Sequence, residues 1–316
     1  MPLISDLIDS IEKKKVFTKI DLQWGYNNVR IKEGDEWKAA FSTPEGSFEP
    51  TVMFFGLTNS PATFQVIMND LLRDLVVEEK VAVFINDVMV ATETEEGHDE
   101  IVEEVLKRLE ENDLFVKLEK CVWKVKEVGF LRVIIGEDRV RMEKKKVQGV
   151  IEWPGLRSVK DVQKFLRLAN YYRWFVKDFA KIAKPLYEMT RKETKWNWGE
   201  RQQRVFEELK EKFMTELVLV TPDLDKEMRV KADVSDFVMG GVLSIKCKDK
   251  KWRPVAYISK SLNEAERNYE IYDKEMLAII WCLEAWRHFL EEAKDWFEIW
   301  TDHKNLEYFM KAQKLN

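Results

Sequence analysis

Apolar and polar positions recur along this chain with two different periods, and the change of period marks out its elements. Residues 17 to 31, FTKIDLQWGYNNVRI, predict a strand, a break at Gly25 and a short extended return. From Pro61 to Val77 the period becomes helical, with proline at the start of the helix. The run VAVFINDVMV, residues 81 to 90, is two apolar β segments around Asn86 and Asp87, which predicts a hairpin with a carboxylate at its tip. Residues 98 to 111 read as an amphipathic helix, and GFLRVIIG, residues 129 to 136, as a strand. Between Glu143 and Arg191 the pattern is helical and rich in aromatics, with Ser158 and Asp161 forming a capping start. A further helix, Glu200 to Met214, precedes a break at Pro222 and Asp223. MRVKADV, GGVLSI and DWFEIWTD then read as strands around the helix DKEMLAIIWCLEAWRHFL, an α/β unit.

Composition changes this picture in five respects. At 316 residues the chain exceeds one ordinary core, so two or three packed units are expected. With 45% hydrophobic residues, 12 Trp and 18 Phe, it is a globular chain and not a disordered one. No run reaches the roughly 18 apolar residues of a membrane span, and MPLISDLIDSIEKKK carries acids where a secretory signal carries bases. These features predict a protein that is not secreted, has no membrane partner and resides inside the cell, in the cytoplasm or the nucleus. Cys121, Cys247 and Cys282 suggest neither a disulfide framework nor a zinc site. The net charge of −5 is the opposite of the Lys and Arg excess that phosphate binding favours, although a local cluster such as Lys144, Lys145 and Lys146 can line a groove on an acidic body.

Two sets of acids fall where the pattern predicts burial. Asp21 ends the apolar phase of FTKID and Asp87 sits at the hairpin tip. Asp233 lies on a strand, Glu275 on a helix and Asp302 at the end of another strand. Each acid alone reads equally well as a cap or an ion-pair partner. Taken together, carboxylates at element ends are a workable way to hold divalent cations against phosphate.

Nine ordered motifs carry a resemblance: KIDLQWGYNNVRI, FGLTNSPATFQ, FINDVMV, LEKC, GFLRVII, FLRLANYYRWFVKDFAKIAKPL, ADVSD, AERNYEIYDKEMLAIIWCLEAWRHFL and TDHKNL. The chain resembles the reverse transcriptase and RNase H region of a gypsy-type LTR retrotransposon Pol polyprotein. The resemblance implies a multidomain α+β and α/β fold: a right-hand polymerase palm with partial fingers (1–140), a helical thumb (141–191), a connector (192–224) and a C-terminally truncated RNase H-like domain (225–316). It implies Mg²⁺ or Mn²⁺ at two-metal sites, held by Asp21, Asp87, Asp233, Glu275 and Asp302. It further implies nucleotide contacts at Tyr26, Phe55 and Gly56, and template–primer contacts at Pro61 and Gln65. The implied partners are an RNA template, a DNA primer, an RNA:DNA hybrid and dNTP.

The sequence departs from the family's pattern at the hairpin, where Phe84, Ile85, Asn86 and Asp87 answer to tyrosine, hydrophobe, aspartate, aspartate. Asn86 keeps the shape of a carboxylate and loses its charge, so it cannot neutralise a metal ion or the charge that develops in phosphoryl transfer. Pro50, Phe54 and Arg132 replace an aromatic, a proline and a turn glycine of the family. The family's basic fingers segment would precede residue 1, and its last RNase H strand, helix and fourth acid would follow Asn316. A retrotransposon-derived RNA-directed DNA polymerase and RNase H fragment with polymerase activity lost is therefore expected. The alternatives are a catalytically dead nucleic-acid-binding remnant and a chain with RNase H activity only.

Overall fold

The computed structural model describes residues 1–136, 139–192, 194–215 and 218–301. They form two compact units, residues 1–138 and 139–316.

The first unit is built on an antiparallel sheet. Strand Val16–Gln23 pairs on one side with Asp87–Thr92, which pairs in turn with Val81–Phe84. On its other side it pairs with Phe115–Val116 and Val122–Val125. The strand is buried on both faces at its start, where Val16, Phe17 and Thr18 are all enclosed, and at alternate positions from Thr18 onward, as period-2 patterning demands. Helices Ser60–Leu71 and His98–Glu111 lay Phe64, Met68, Val105 and Leu109 onto the core shared with Ile20, Val83 and Val88. The helical pattern of residues 61 to 77 is not continuous. Leu72, at φ −113° and ψ 20°, separates Ser60–Leu71 from Arg73–Val77.

The stretch 129 to 136 differs from its expectation too. It is a hairpin, Glu127–Phe130 against Val133–Gly136, with Phe130 opposite Val133. Leu131 and Arg132 make the turn at φ 46° and 65°. Two-residue hairpin turns usually place Gly or Asn at such left-handed positions, so the sequence lacked the customary mark.

The second unit begins with strand Arg139–Met142, paired antiparallel with Val218–Val220. Helices Lys144–Ile151, Val159–Tyr171 and Phe179–Met189 follow. Ser158 caps the second of these by accepting from the Asp161 amide at 3.2 Å. Helix Glu200–Thr215 lies in the segment expected to be a connector, yet it packs into these helices: the Phe206 and Phe165 rings are 4.8 Å apart, and Lys210 donates to the Trp153 carbonyl at 3.1 Å. Next comes a sheet in the order Trp252–Ser261, Val238–Lys246, Met228–Val234, Glu298–Trp300, the last strand parallel to its neighbour. Helix Ile271–Ala285 covers one face of it with Ala278, Ile279 and Cys282. Strand Trp252–Ser261 was absent from the sequence reading. It is an edge strand with Pro254 beside a bulge, where a missing N–H is tolerated and where clean alternation is lost.

His98 joins helix to sheet in the first unit. Fully buried, it lies 2.8 Å from the Thr18 hydroxyl through Nε2 and 2.8 Å from the Thr92 hydroxyl through Nδ1. Burial lowers its pKa from the ordinary value of 6.5. The folded state therefore binds fewer protons than the unfolded chain as pH falls through about 6.5, and stability is lost in that direction. Urea midpoints should fall between about pH 7.5 and 5.5, with a smaller fall in His98→Gln, since only the native sequence carries this histidine's titration.

Candidate active site

The register of the first sheet ends with Asp21 opposite Asp87. Like charges directly opposed across strands repel, so cations must stand nearby. Lys19, two residues back on the same face of the strand as Asp21, reaches Asp87 at 3.1 Å. Lys120 reaches Asp21 at 3.5 Å. Asp21, Asn86 and Asp87 line a cavity of about 210 Å³ together with Trp24, Phe55, Lys117 and Lys120.

The turn that presents Asp87 is strained and held from beneath. Phe84 pairs with Asp87, leaving Ile85 and Asn86 as a two-residue turn, with Ile85 at φ 55°. A β-branched residue resists that conformation. Gln65 fixes it by accepting from the Ile85 amide at 2.8 Å and donating to the Val83 carbonyl at 3.0 Å. Gln65 is buried at 2% exposure, and its side chain positions the hairpin from beneath.

Asn86 Oδ1 is sealed from solvent and has no hydrogen-bond partner among the described residues. Gly25 lies against it. A Cβ at position 25 would stand 2.7 Å from Asn86 Oδ1 and 2.7 Å from Phe64 Cζ, so only glycine fits there. The chain break expected at Gly25 falls one residue earlier, at Trp24 with φ 52°. Phe55 is exposed at the cavity, its ring edge-on to Tyr26 at 4.9 Å. Tyr26 is buried behind it, which raises its phenol pKa. Gly56, at φ 109°, occupies backbone space open to glycine, and Pro61 sits in the first turn of Ser60–Leu71.

A second acidic site lies in the other unit. Asp233 projects from the exposed positions of Met228–Val234 into a cavity of about 380 Å³, lined also by Lys231, Trp300, Thr301 and Asp178. Glu275 is buried and accepts from Thr301 Oγ1 at 2.9 Å. Asp302 lies outside the described residues. Asp233 pairs across the sheet with Gly240, and a Cβ at Gly240 would stand 3.2 Å from Asp178 Oδ1. The glycine thus admits a carboxylate that sequence patterning did not single out.

Among the described residues no group of three or more His, Cys, Asp or Glu side chains gathers as a cage for a metal ion. The donors at the first site fit a more modest arrangement. Mg²⁺ commonly takes one or two carboxylates and completes its shell with water and phosphate, which Asp21 and Asp87 can provide for.

Comparison with known proteins decides the ancestry. Residues 2–135 match the family described as reverse transcriptase (RNA-dependent DNA polymerase), and residues 198–297 match the RNase H-like domain found in reverse transcriptase. The Tf2-3 and Tf2-7 transposon polyproteins of Schizosaccharomyces pombe are each 35% identical to this chain over 306 residues. The chain carries a reverse transcriptase domain followed by an RNase H-like domain, and it is homologous to the Tf2 retrotransposon polyproteins. The match covers 97% of the chain and 23% of each polyprotein, so the chain spans about a quarter of the curated relatives' length. A foamy viral protease-reverse transcriptase in complex with ds DNA shares the fold at TM-score 0.80 and 24% identity, over 99% of this chain and 54% of that one. The same viral protein in complex with RNA/DNA hybrid matches at TM-score 0.77, over 98% of this chain and 42% of that one.

Lys19 and Lys120 are the residues of this site that sequence patterning did not single out. Lys19 was findable, since it shares the strand face of Asp21. Lys120 lies in the quoted LEKC motif, but only the tertiary fold brings it to Asp21.

Gly25→Ala should destabilise the fold by about 1 to 3 kcal/mol through overpacking against Phe64 and Asn86. Gln65→Leu should cost about 1 to 3 kcal/mol by stripping the Ile85 amide and Val83 carbonyl of their partner. Urea denaturation of both variants measures these losses, and an unchanged midpoint in Gln65→Leu means the turn is held by other contacts.

Proposed function

We propose that this chain is the core of a retrotransposon reverse transcriptase that holds template–primer and RNA:DNA hybrid and has lost nucleotidyl transfer at the Asp21–Asp87 centre. One observation carries the reading: the residue between the acids is a neutral amide whose oxygen is sealed without a partner. A carboxylate in that enclosed position needs a cation beside it, whereas an amide is tolerated at smaller cost. Asp21 and Asp87 would hold Mg²⁺ or Mn²⁺, which when bound supplies charge neutralisation at a transferring phosphate. Lys19 and Lys120 hold the same carboxylates through ion pairs. The pairs offset the repulsion across the strands in a chain short of one acid.

Tyr26, Phe55 and Gly56 border the place where a dNTP base and sugar would lie, and Pro61 starts the helix that braces it. The removal of one electrostatic contact of this kind commonly costs about 10² to 10³ in rate. Hybrid cleavage at the second site is the other reading that a specific feature favours. Asp233 opens on a cavity of about 380 Å³ and Glu275 is held in place by Thr301. Asp302 would complete that set.

Primer extension by the purified chain with Mg²⁺ or Mn²⁺ should equal that of its Asp21→Asn variant, and extension above that level sinks the proposal. A second readout is independent of turnover. Asn86→Asp should lower the melting temperature in chelator and recover it when Mn²⁺ is added, whereas the native chain should respond less. Cleavage of the RNA strand of a hybrid should vanish in Asp233→Asn, and cleavage that survives the change excludes this site as the source.

A further inference from the structure

Apart from both acidic sites, a third cavity of about 300 Å³ opens in the second unit, bordered by helix Phe179–Met189 and the end of strand Trp252–Ser261. Its lining carries five cationic side chains, Arg173, Lys184, Arg191, Lys260 and Arg267, against one carboxylate, Glu188. Such a concentration is not what a chain of net charge −5 would produce by an even spread. Glu188 is engaged by Arg201 at 3.7 Å, and Lys260 by Glu266 at 3.5 Å.

Several of these cations are held in place. Lys184 Nζ stands 3.6 Å from the centroid of the Phe237 ring, and the Arg267 guanidinium lies 5.6 Å from the same ring. Arg267 Nε donates to the Leu262 carbonyl at 3.0 Å. Arg173 donates to the Ser259 carbonyl and to Asn170 Oδ1. A guanidinium has five N–H donors in a planar fork, so these anchors leave donors over for a ligand. Cations fixed close together repel until an anion lies between them, and the Arg fork matches the paired oxygens of a phosphate. Phe237 and Tyr187, both exposed at the rim, add ring surface beside that charge.

We propose that this cavity is a phosphate site that grips the backbone of a bound nucleic-acid strand away from both acidic centres. The proposal rests on the nucleic-acid reading given under Proposed function.

The test is fluorescence anisotropy of a labelled RNA:DNA hybrid with the whole chain, titrated with salt between about 50 and 200 mM. The variant Lys184→Gln/Arg191→Gln/Arg267→Gln should bind about tenfold or more weakly. Its slope of log affinity against log salt should be shallower by about two to three, close to 0.9 per lost phosphate contact. The control Arg73→Gln/Lys80→Gln/Lys107→Gln, of equal charge loss in the other unit, should keep the slope within about one of the native value. Arginine or lysine exchanged conservatively at the three cavity positions should restore most of the loss, and Arg191→Gln alone, at an exposed position, should lower the slope by about one. A native slope in the triple variant overturns the phosphate site and leaves the nucleic-acid reading standing. Failure of the native chain to bind hybrid at all removes both. A melting temperature raised by inorganic phosphate, with hybrid affinity unchanged in the triple variant, assigns the cavity to a free anion and overturns the proposal. Loss in that variant of binding to polyglutamate, with hybrid affinity kept, overturns it in favour of an acidic protein segment.

Discussion

The opposition of Asp21 and Asp87 across two antiparallel strands is the constraint on which the first unit is organised. Two carboxylates in that relation repel, and the sheet can hold them only with cations close by. Lys19 and Lys120 provide these, one from the same strand and one from the short helical turn Leu118–Lys120. The register itself cannot drift. A slip of one residue would turn Val88 and Val90, both fully buried, toward the opposite face. The acids are therefore brought together by the burial of apolar residues on both faces of the strand, Val88 and Val90 on one and Met89 and Ala91 on the other, a force far larger than any ion pair at the surface.

Around that constraint the local backbone is shaped by close approach. Gly25 lets Phe64 and Asn86 come within contact distance of the chain, Ile85 accepts a left-handed conformation, and Gln65 spans the turn with a hydrogen bond at either side. Strain of this kind persists where surrounding contacts over-determine it, and it gathers at sites that present functional groups. The amide at Asn86 fits such an enclosure at less cost than a charge would.

The second unit follows the same physics with other parts. Paired glycines in strand Val238–Lys246 open both faces of the sheet, Gly240 to Asp178 and Gly241 to Cys282 and Trp286. Glu275 is buried and accepts a hydrogen bond from the Thr301 hydroxyl, as a buried acid must be satisfied. Burial raises the Cys282 thiol to about 12, consistent with a packing role. The clustering of Arg and Lys beside Phe237 shows why net charge is a poor guide to partners, since the field at a cavity depends on where charges sit and not on their sum.

Much of this was legible in the chain alone. The hairpin beside Asp87, whose turn falls at Ile85 and Asn86, one residue earlier than the pattern placed it, the helix His98–Glu111 and the cap at Ser158 are local matters, decided by period, turn chemistry and side chains a few residues apart. Family motifs marked Asp233 and Glu275 for the same reason: each is embedded in a short run of recognisable neighbours. Other features depended on residues far apart in sequence. The hairpin turn at Leu131 and Arg132 carries no glycine, Pro254 disguises an edge strand, and the inward face of Gln65 depends on a hairpin some 20 residues away. Lys120 meets Asp21, and Asp178 meets Gly240, only because sheets and helices pack across long loops. The sequence by itself determined which elements form and which residues carry charge. Packing decided which of those charges meet, because apolar burial chooses the register and the partners before any pair of charges can act.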